Sequence, residues 1–173
     1  ELASTLKESI NQIHNRGTSF PNAPSEMTGT RRFIDPANQN IQISNGDVRF
    51  TIFDSEGKQV ATTTLLGGLG FPDAGGSVTD MVSRINDWLT SADGANLPQA
   101  YAEINKDGQV VINTGDSNYS FSIRDEASST PGSAQQDVSI KFDVNGDGAF
   151  DRSFEGFSYF FGMNDFFTNT TNE

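Results

Sequence analysis

Val48-Arg49-Phe50-Thr51-Ile52-Phe53, then Asp54-Ser55-Glu56-Gly57, then Lys58 to Leu65, is the stretch on which the fold turns. Val48, Phe50 and Ile52 alternate with Arg49, Thr51 and Phe53, and a period of two sends successive side chains to opposite faces of an extended chain. The four residues between the runs are turn formers, with glycine free to take left-handed backbone angles. The two runs predict an antiparallel hairpin, which needs further strands or a helix to cover its apolar face.

The same signature recurs downstream. Tyr101 to Ile104 and Gln109 to Asn113 flank the hairpin turn Asn105-Lys106-Asp107-Gly108. Tyr119 to Ile123 is a further strand, and Val138 to Asp143 is expected to pair with Ala149 to Phe154. Between the first hairpin and these strands, Leu66 to Gly76 holds five glycines and one proline and reads as a flexible link. Ser77 with Asp80 three residues on has capping-box spacing, opening a helix over about 77–92. Its apolar residues Val78, Met81, Val82, Ile85, Trp88 and Leu89 share one face, and Gly94 is the expected stop. Ala127 to Gln136, rich in Ser, Thr, Pro and Gly, is expected to be a mobile loop.

Upstream, Leu2, Leu6, Ile10 and Ile13 form one stripe of an amphipathic helix over about 2–16, closed by Gly17. No second helix follows closely, so the stripe is expected to pack against something outside the chain or at its far end. The chain opens on Glu1 with this register already running, as though cut from something longer. Thr18 to Asn40 carries Pro21, Pro24 and Pro36, with Phe20 and Phe33 as aromatic anchors, and reads as an irregular crossing segment. The class expected is α+β: a β-rich domain of antiparallel hairpins with one packed amphipathic helix, plus an N-terminal helix. The segments are 1–17, the first helix; 18–40, the connector; 41–155, the β-rich domain; and 156–173, an aromatic closing segment.

Composition narrows the chemistry. Lys and Arg total 11 against 23 Asp and Glu, for a net charge of −12. Such a surface repels phosphate backbones and anionic lipid headgroups, so neither nucleic acid nor a membrane is an expected partner. No stretch approaches the roughly 20 apolar residues of a membrane-spanning helix. There is no cysteine and one histidine, His14. That removes disulfides, thiol nucleophiles and His/Cys metal clusters, and any Ser-His-Asp triad would have to use His14. His14 lies where an imidazole caps the helix C-terminus, and no Gly-x-Ser-x-Gly surrounds a serine, so capping is its expected role.

The sharpest local motif runs from Asp143 to Asp151. Asp143, Asn145, Asp147 and Asp151 stand at positions one, three, five and nine of a calcium loop, with Gly146 at six. Phe154 stands at position twelve, where a bidentate carboxylate belongs, and the apolar alternation on both sides predicts a hairpin rather than two helices. The readings are a calcium site on those four residues or a solvated β-turn without cofactor. Leu66-Gly67-Gly68-Leu69-Gly70 precedes a helix, yet no Lys follows, so a linker is preferred to a phosphate loop. Carboxylate pairs such as Asp125 with Glu126, or Asp80 with Asp87, are expected to be solvated surface. From Phe154 to Phe167 there are seven aromatics in 14 residues. At about 2 kcal/mol per buried ring, this run must fold back on the domain or dock on a neighbour.

Two short motifs bracket the chain. Residues 2–17, Leu-Ala-x-x-Leu-x-x-x-Ile-Asn-x-Ile-His-x-x-Gly, resemble a helix of the flagellar hook-associated protein family, the hook-filament junction proteins (FlgK), which ends in Asn-x-x-His-x-x-Gly. Asn11, His14 and Gly17 carry the match. The closing Gly162-Met163-Asn164-Asp165-Phe166-Phe167 is similar to Gly-Leu-Asn-Asp-Phe-Phe of the same family, with Met163 for leucine, where that family's chain returns from outer domain to rod. The resemblance implies that residues 1–17 end a rod-like helical domain, that 41–155 are an outer domain and that 156–173 return towards the rod, in a structural subunit of the bacterial flagellum exported by the flagellar type III apparatus and assembled outside the cell, without catalysis or cofactor. It implies contacts with other flagellar axial proteins and with copies of itself through segments outside this chain, which alone is expected to be monomeric. The alternative is a calcium-dependent extracellular adhesion or carbohydrate-binding module centred on Asp143 to Asp151. A third reading, an acidic hydrolase, would need a cleft lined by carboxylates of raised pKa.

Overall fold

In the computed structural model, which describes residues 2–15 and 23–163, the alternating run from Val48 lies in the middle of a sheet. The elements are α1 (Leu2–Asn15), β1 (Glu26–Thr28), β2 (Asn40–Ser44), β3 (Asp47–Phe53), β4 (Gln59–Thr64), β5 (Gly76–Ser77), α2 (Val78–Thr90), β6 (Tyr101–Ile104), β7 (Val110–Asn113), β8 (Ser120–Glu126), β9 (Ser139–Phe142), β10 (Arg152–Glu155) and α3 (Phe157–Phe161). They build three open sheets, ordered β4-β3-β8, β10-β9-β2-β5 and β1-β7-β6, with antiparallel pairing throughout. The fold is α+β, as the hydrophobic periods require.

β3 pairs along its length with β8, from Asp47 opposite Glu126 to Phe53 opposite Ser120. This register puts Val48, Phe50 and Ile52 on the same face as Phe121, Ile123 and Asp125, because directly opposite residues point the same way. The apolar members of that face are all buried and join one continuous cluster with Ile41, Ile43, Ile140 and Phe142 of the second sheet. The inward face of α2 adds Val78, Met81, Val82, Ile85 and Leu89.

The start of α2 is as its sequence demands: Ser77 Oγ accepts the Asp80 N–H at 3.1 Å. The reciprocal half of the box is not made through the Asp80 carboxylate, which accepts from Arg84 Nε at 2.8 Å one turn along. A charged donor at i+4 outcompetes a backbone N–H for that carboxylate. Nor is Gly94 the stop. The helix ends at Thr90, with Ser91 extended and its N–H on the Asp87 carbonyl. Gly94 is needed three residues later, where a Cβ would stand 2.1 Å from the Trp88 carbonyl oxygen.

The crossing segment also departs from expectation, since Glu26–Thr28 is a strand pairing with β7. Met27 points inward between two exposed neighbours, an alternation too short to stand out among prolines and serines. Phe33 is buried, as an anchor should be; Phe20 lies outside the described residues.

Two stretches expected to be loose are tied to one carboxylate. Asp47 is buried, and its Oδ1 accepts the N–H groups of Val48 at 2.7 Å and Leu66 at 2.8 Å. Its Oδ2 accepts from Gly67 N–H at 2.9 Å and Ser129 Oγ at 2.8 Å. The glycine-rich turn thus has an anion at its N–H groups, but the anion is the chain's own aspartate. The same contact holds the loop of residues 127–136, which Arg49 also reaches through the Ser129 carbonyl.

The closing aromatic run folds back into the core. Phe157, Phe160 and Phe161 are buried. Phe157 meets Phe50 edge-on at 5.8 Å, and Phe160 meets Phe142 at 5.3 Å. The Arg31 guanidinium lies over Phe160 at 4.3 Å and Phe154 at 4.6 Å, while its Nε donates to the Phe160 carbonyl. Packed against α3 is α1, so the first helix and the last described one are neighbours although they come from opposite ends of the chain.

Burial alone would raise the Asp47 pKa, but the N–H groups of Leu66, Gly67 and Val48 and the Ser129 hydroxyl together hold it below the usual 3.8. A carboxylate lowered in the folded state stabilises it above the unfolded pKa, and that contribution disappears as pH falls through the folded one. Asp47→Ala, which strands several donors at once, is predicted to cost about 2–4 kcal/mol at neutral pH. In denaturant titrations that cost shrinks in strongly acidic solution, and a penalty independent of pH would show that the charge is irrelevant.

Candidate functional site

The loop from Asp143 to Asp151 joins β9 to β10, a hairpin as the flanking alternation required. Asp143 follows Phe142 into the interior and is fully buried. Its Oδ1 accepts from Gly146 N–H at 2.7 Å and Asp147 N–H at 3.2 Å, and its Oδ2 from Gly148 N–H at 2.9 Å. Gly146 and Gly148 have φ of 74° and 91°, left-handed angles that let successive N–H groups curl around one carboxylate. Asn145 Oδ1 accepts the Asp147 N–H at 3.1 Å, and Asp147 Oδ1 accepts the Ala149 N–H at 2.9 Å. Asp151 Oδ2 closes the loop on the Val144 N–H at 2.8 Å.

All four candidate ligands therefore share one loop, yet each is engaged with the loop's own polar groups. Among the described residues, no group of three or more His, Cys, Asp or Glu is arranged to hold a metal ion. The twelfth position stays empty of a carboxylate: Phe154 packs against Phe160, and Glu155 accepts from Ser139 Oγ at 2.8 Å, across the strand pair. In chemical terms the loop is a nest, in which the buried Asp143 carboxylate organises backbone donors that would otherwise need water.

The residues of the family motifs fall in two places. Asn11 lies buried on α1. Gly162 caps α3 with φ 66° and ψ 35°, its N–H reaching back to the Tyr159 carbonyl. Its own carbonyl accepts from Thr30 N–H at 3.2 Å, and a Cβ there would stand 1.9 Å from Thr30 Oγ1. Only glycine meets both demands. The His14 side chain, Gly17, Asn164, Asp165, Phe166 and Phe167 lie outside the described residues.

The pair Asp125 and Glu126, expected on the solvated surface, is buried instead. Glu126 points to one side of β8 and binds Arg49 Nε at 2.8 Å. Asp125 points to the other, where its Oδ2 accepts the N–H groups of Val138 at 3.1 Å and Phe157 at 2.9 Å. Burial pushes its pKa up, opposed by those two N–H groups and aided by neighbouring Asp137, to about 6. The period of two carries the signal that composition hid: Asp125 continues the inward series Phe121, Ile123. Asp80 and Asp87 are partly to fully exposed, as expected.

A groove of about 940 Å³ runs between α2 and the β6–β7 hairpin, with Phe33, Ile34 and Val82 among its apolar lining residues and Arg32, Glu103 and Lys106 among its charged ones. Asp125 is not among its lining residues, so the carboxylate of raised pKa and the groove do not form a common cleft. Comparison with family models, with curated proteins and with solved structures found no match to this chain.

Since Asp143 serves three N–H groups, Asp143→Ala is predicted to destabilise the fold by about 2–3 kcal/mol, equally in excess chelator and in millimolar calcium. Stability that rises with calcium in the native chain, and loses that rise in Asp147→Ala, would mean instead that the loop is a calcium site.

Proposed function

We propose that the chain is a structural part of a bacterial flagellar hook-filament junction subunit, acting by packing and not by catalysis, outside the cell. One observation carries the reading: α1 leaves Leu2, Leu6 and Ile13 exposed at 84%, 58% and 68% while it packs against α3. A helix that keeps three of the four residues of its apolar stripe in water has a partner still to meet, because three large side chains on one face are worth several kcal/mol when covered. Asn11 on α1 and Gly162 at the end of α3 lie on adjacent elements, which supports a stalk that leaves and re-enters an outer domain. Further support comes from the acidic, cysteine-free composition, which suits an exported filament surface. The proposed partners are other flagellar axial proteins and further copies of the subunit. The adhesion-module alternative rests on the Asp143 to Asp151 loop, and the calcium comparison above decides it.

The test is made on the whole gene product in its own bacterium. Leu2→Glu with Leu6→Glu is predicted to leave hooks that carry no filament and cells that do not swim, while the isolated chain keeps its circular dichroism and melting temperature. Normal filaments on cells deleted for the gene would overturn the proposal.

A further inference from the structure

α3 is anchored at its start by a polar contact as well as by its rings. Asp125 Oδ2 accepts two backbone N–H groups from segments far apart in sequence: Val138, at the entry to β9, and Phe157, the first residue of α3. A single oxygen therefore pins α3 to both sheets that flank it.

The charges around this oxygen decide what its ionisation does. On β8 itself Arg124 and Glu126 project to the opposite face, where Glu126 is bound to Arg49 and lies 3.7 Å from Arg124 Nε. On β3 the residue opposite Asp125 is Val48, and flanking Asp47 is engaged with the glycine-rich turn. On β10, Glu155 is taken up by Ser139. α3 brings Phe157, Ser158, Tyr159, Phe160 and Phe161, none of them cationic. Before β9 comes Asp137, a like charge. Among the described residues no Lys or Arg forms an ion pair with Asp125. The ionised carboxylate is thus buried with two donors but no counter-charge, and beside another acid.

We infer that Asp125 is a pH-sensitive latch between α3 and the sheets, closed most firmly when its carboxyl is protonated and loosened as the pH rises. Moving α3 away admits water to the carboxylate, so the ionised form favours the open arrangement and the neutral form the closed one. The sign follows from linkage. A carboxyl whose folded pKa is raised, here to about 6 from 3.8, contributes stability that is complete below the unfolded value and is lost as pH climbs through the folded one. Because α1 rests on α3, loosening the latch raises the small population in which the α1–α3 pair opens from the β-rich body. This inference stands on the contacts of Asp125 and does not require the flagellar reading.

Hydrogen exchange on the whole chain tests it, with rates corrected for intrinsic exchange. The amides of Phe160 and Met163, which donate to Gly156 and Ser158 within the α3 region, are the reporters. Their protection factors are expected to fall on the order of 100-fold between about pH 4 and about pH 7.5, mostly between the ordinary value of 3.8 and the folded value of about 6 and levelling off above it, while amides of β3 fall much less. In Asp125→Asn, whose amide oxygen still accepts both N–H groups, the fall should vanish; in Asp137→Asn it should persist with a lower midpoint. Flat reporters in the native chain, or a decline shared equally by β3, would overturn the latch. So would a pH response left intact in Asp125→Asn, and should that variant fail to fold, the native and Asp137→Asn profiles decide alone.

Discussion

Covering the rings of the closing segment is the constraint on which the rest of the structure depends. Phe157, Phe160 and Phe161 are almost wholly removed from water, and they touch Phe50 of one sheet and Phe33 and Phe142 around another. At about 2 kcal/mol per ring, their burial is a large contribution to joining the sheets. Arg31 seals the edge of this cluster by lying across three rings and capping a carbonyl of α3. An acidic chain with few cations places one of them, half-buried, against the core, where an arginine can stack on aromatic faces and still donate hydrogen bonds.

A second theme is the use of buried aspartate in place of regular pairing. Asp47, Asp125 and Asp143 each accept at least two backbone N–H groups, and between them they fix the glycine-rich turn, the start of α3 and the β9–β10 loop. Short strands and three open sheets leave many N–H groups without ladder partners, and a carboxylate can serve several at once. Their environments differ in a way that matters. Asp47 has enough donors to overcome its burial, whereas Asp125 does not, so the two respond to pH in opposite directions.

Much of the fold was legible in the residues because their periods are unambiguous. The β3–β4 and β6–β7 hairpins, the capped helix after Ser77 and the amphipathic first helix follow from alternation, turn chemistry and one serine. What composition concealed was tertiary. Glycine and serine content suggested looseness at 66–76 and 127–136, but a single residue remote in sequence, Asp47, organises both. Charge content suggested that Asp125 and Glu126 face water, although strand alternation already placed Asp125 among inward residues. The Asp143 loop was legible as a carboxylate-rich turn; that its oxygens face inward to their own backbone depends on how tightly Gly146 and Gly148 let the chain curl.

The functional reading rests on the neighbourhood of α1 and α3, and it is most directly tested by a distance. Leu6→Cys with Glu155→Cys gives two unique labelling positions, since the chain has no cysteine of its own. A helix rises about 1.5 Å per residue, so α1 spans roughly 21 Å, and spin labels at these sites should lie within about 25 Å of one another in solution. A single distribution centred beyond about 40 Å, the scale of the whole domain, would mean that the two helices do not associate and would contradict the account.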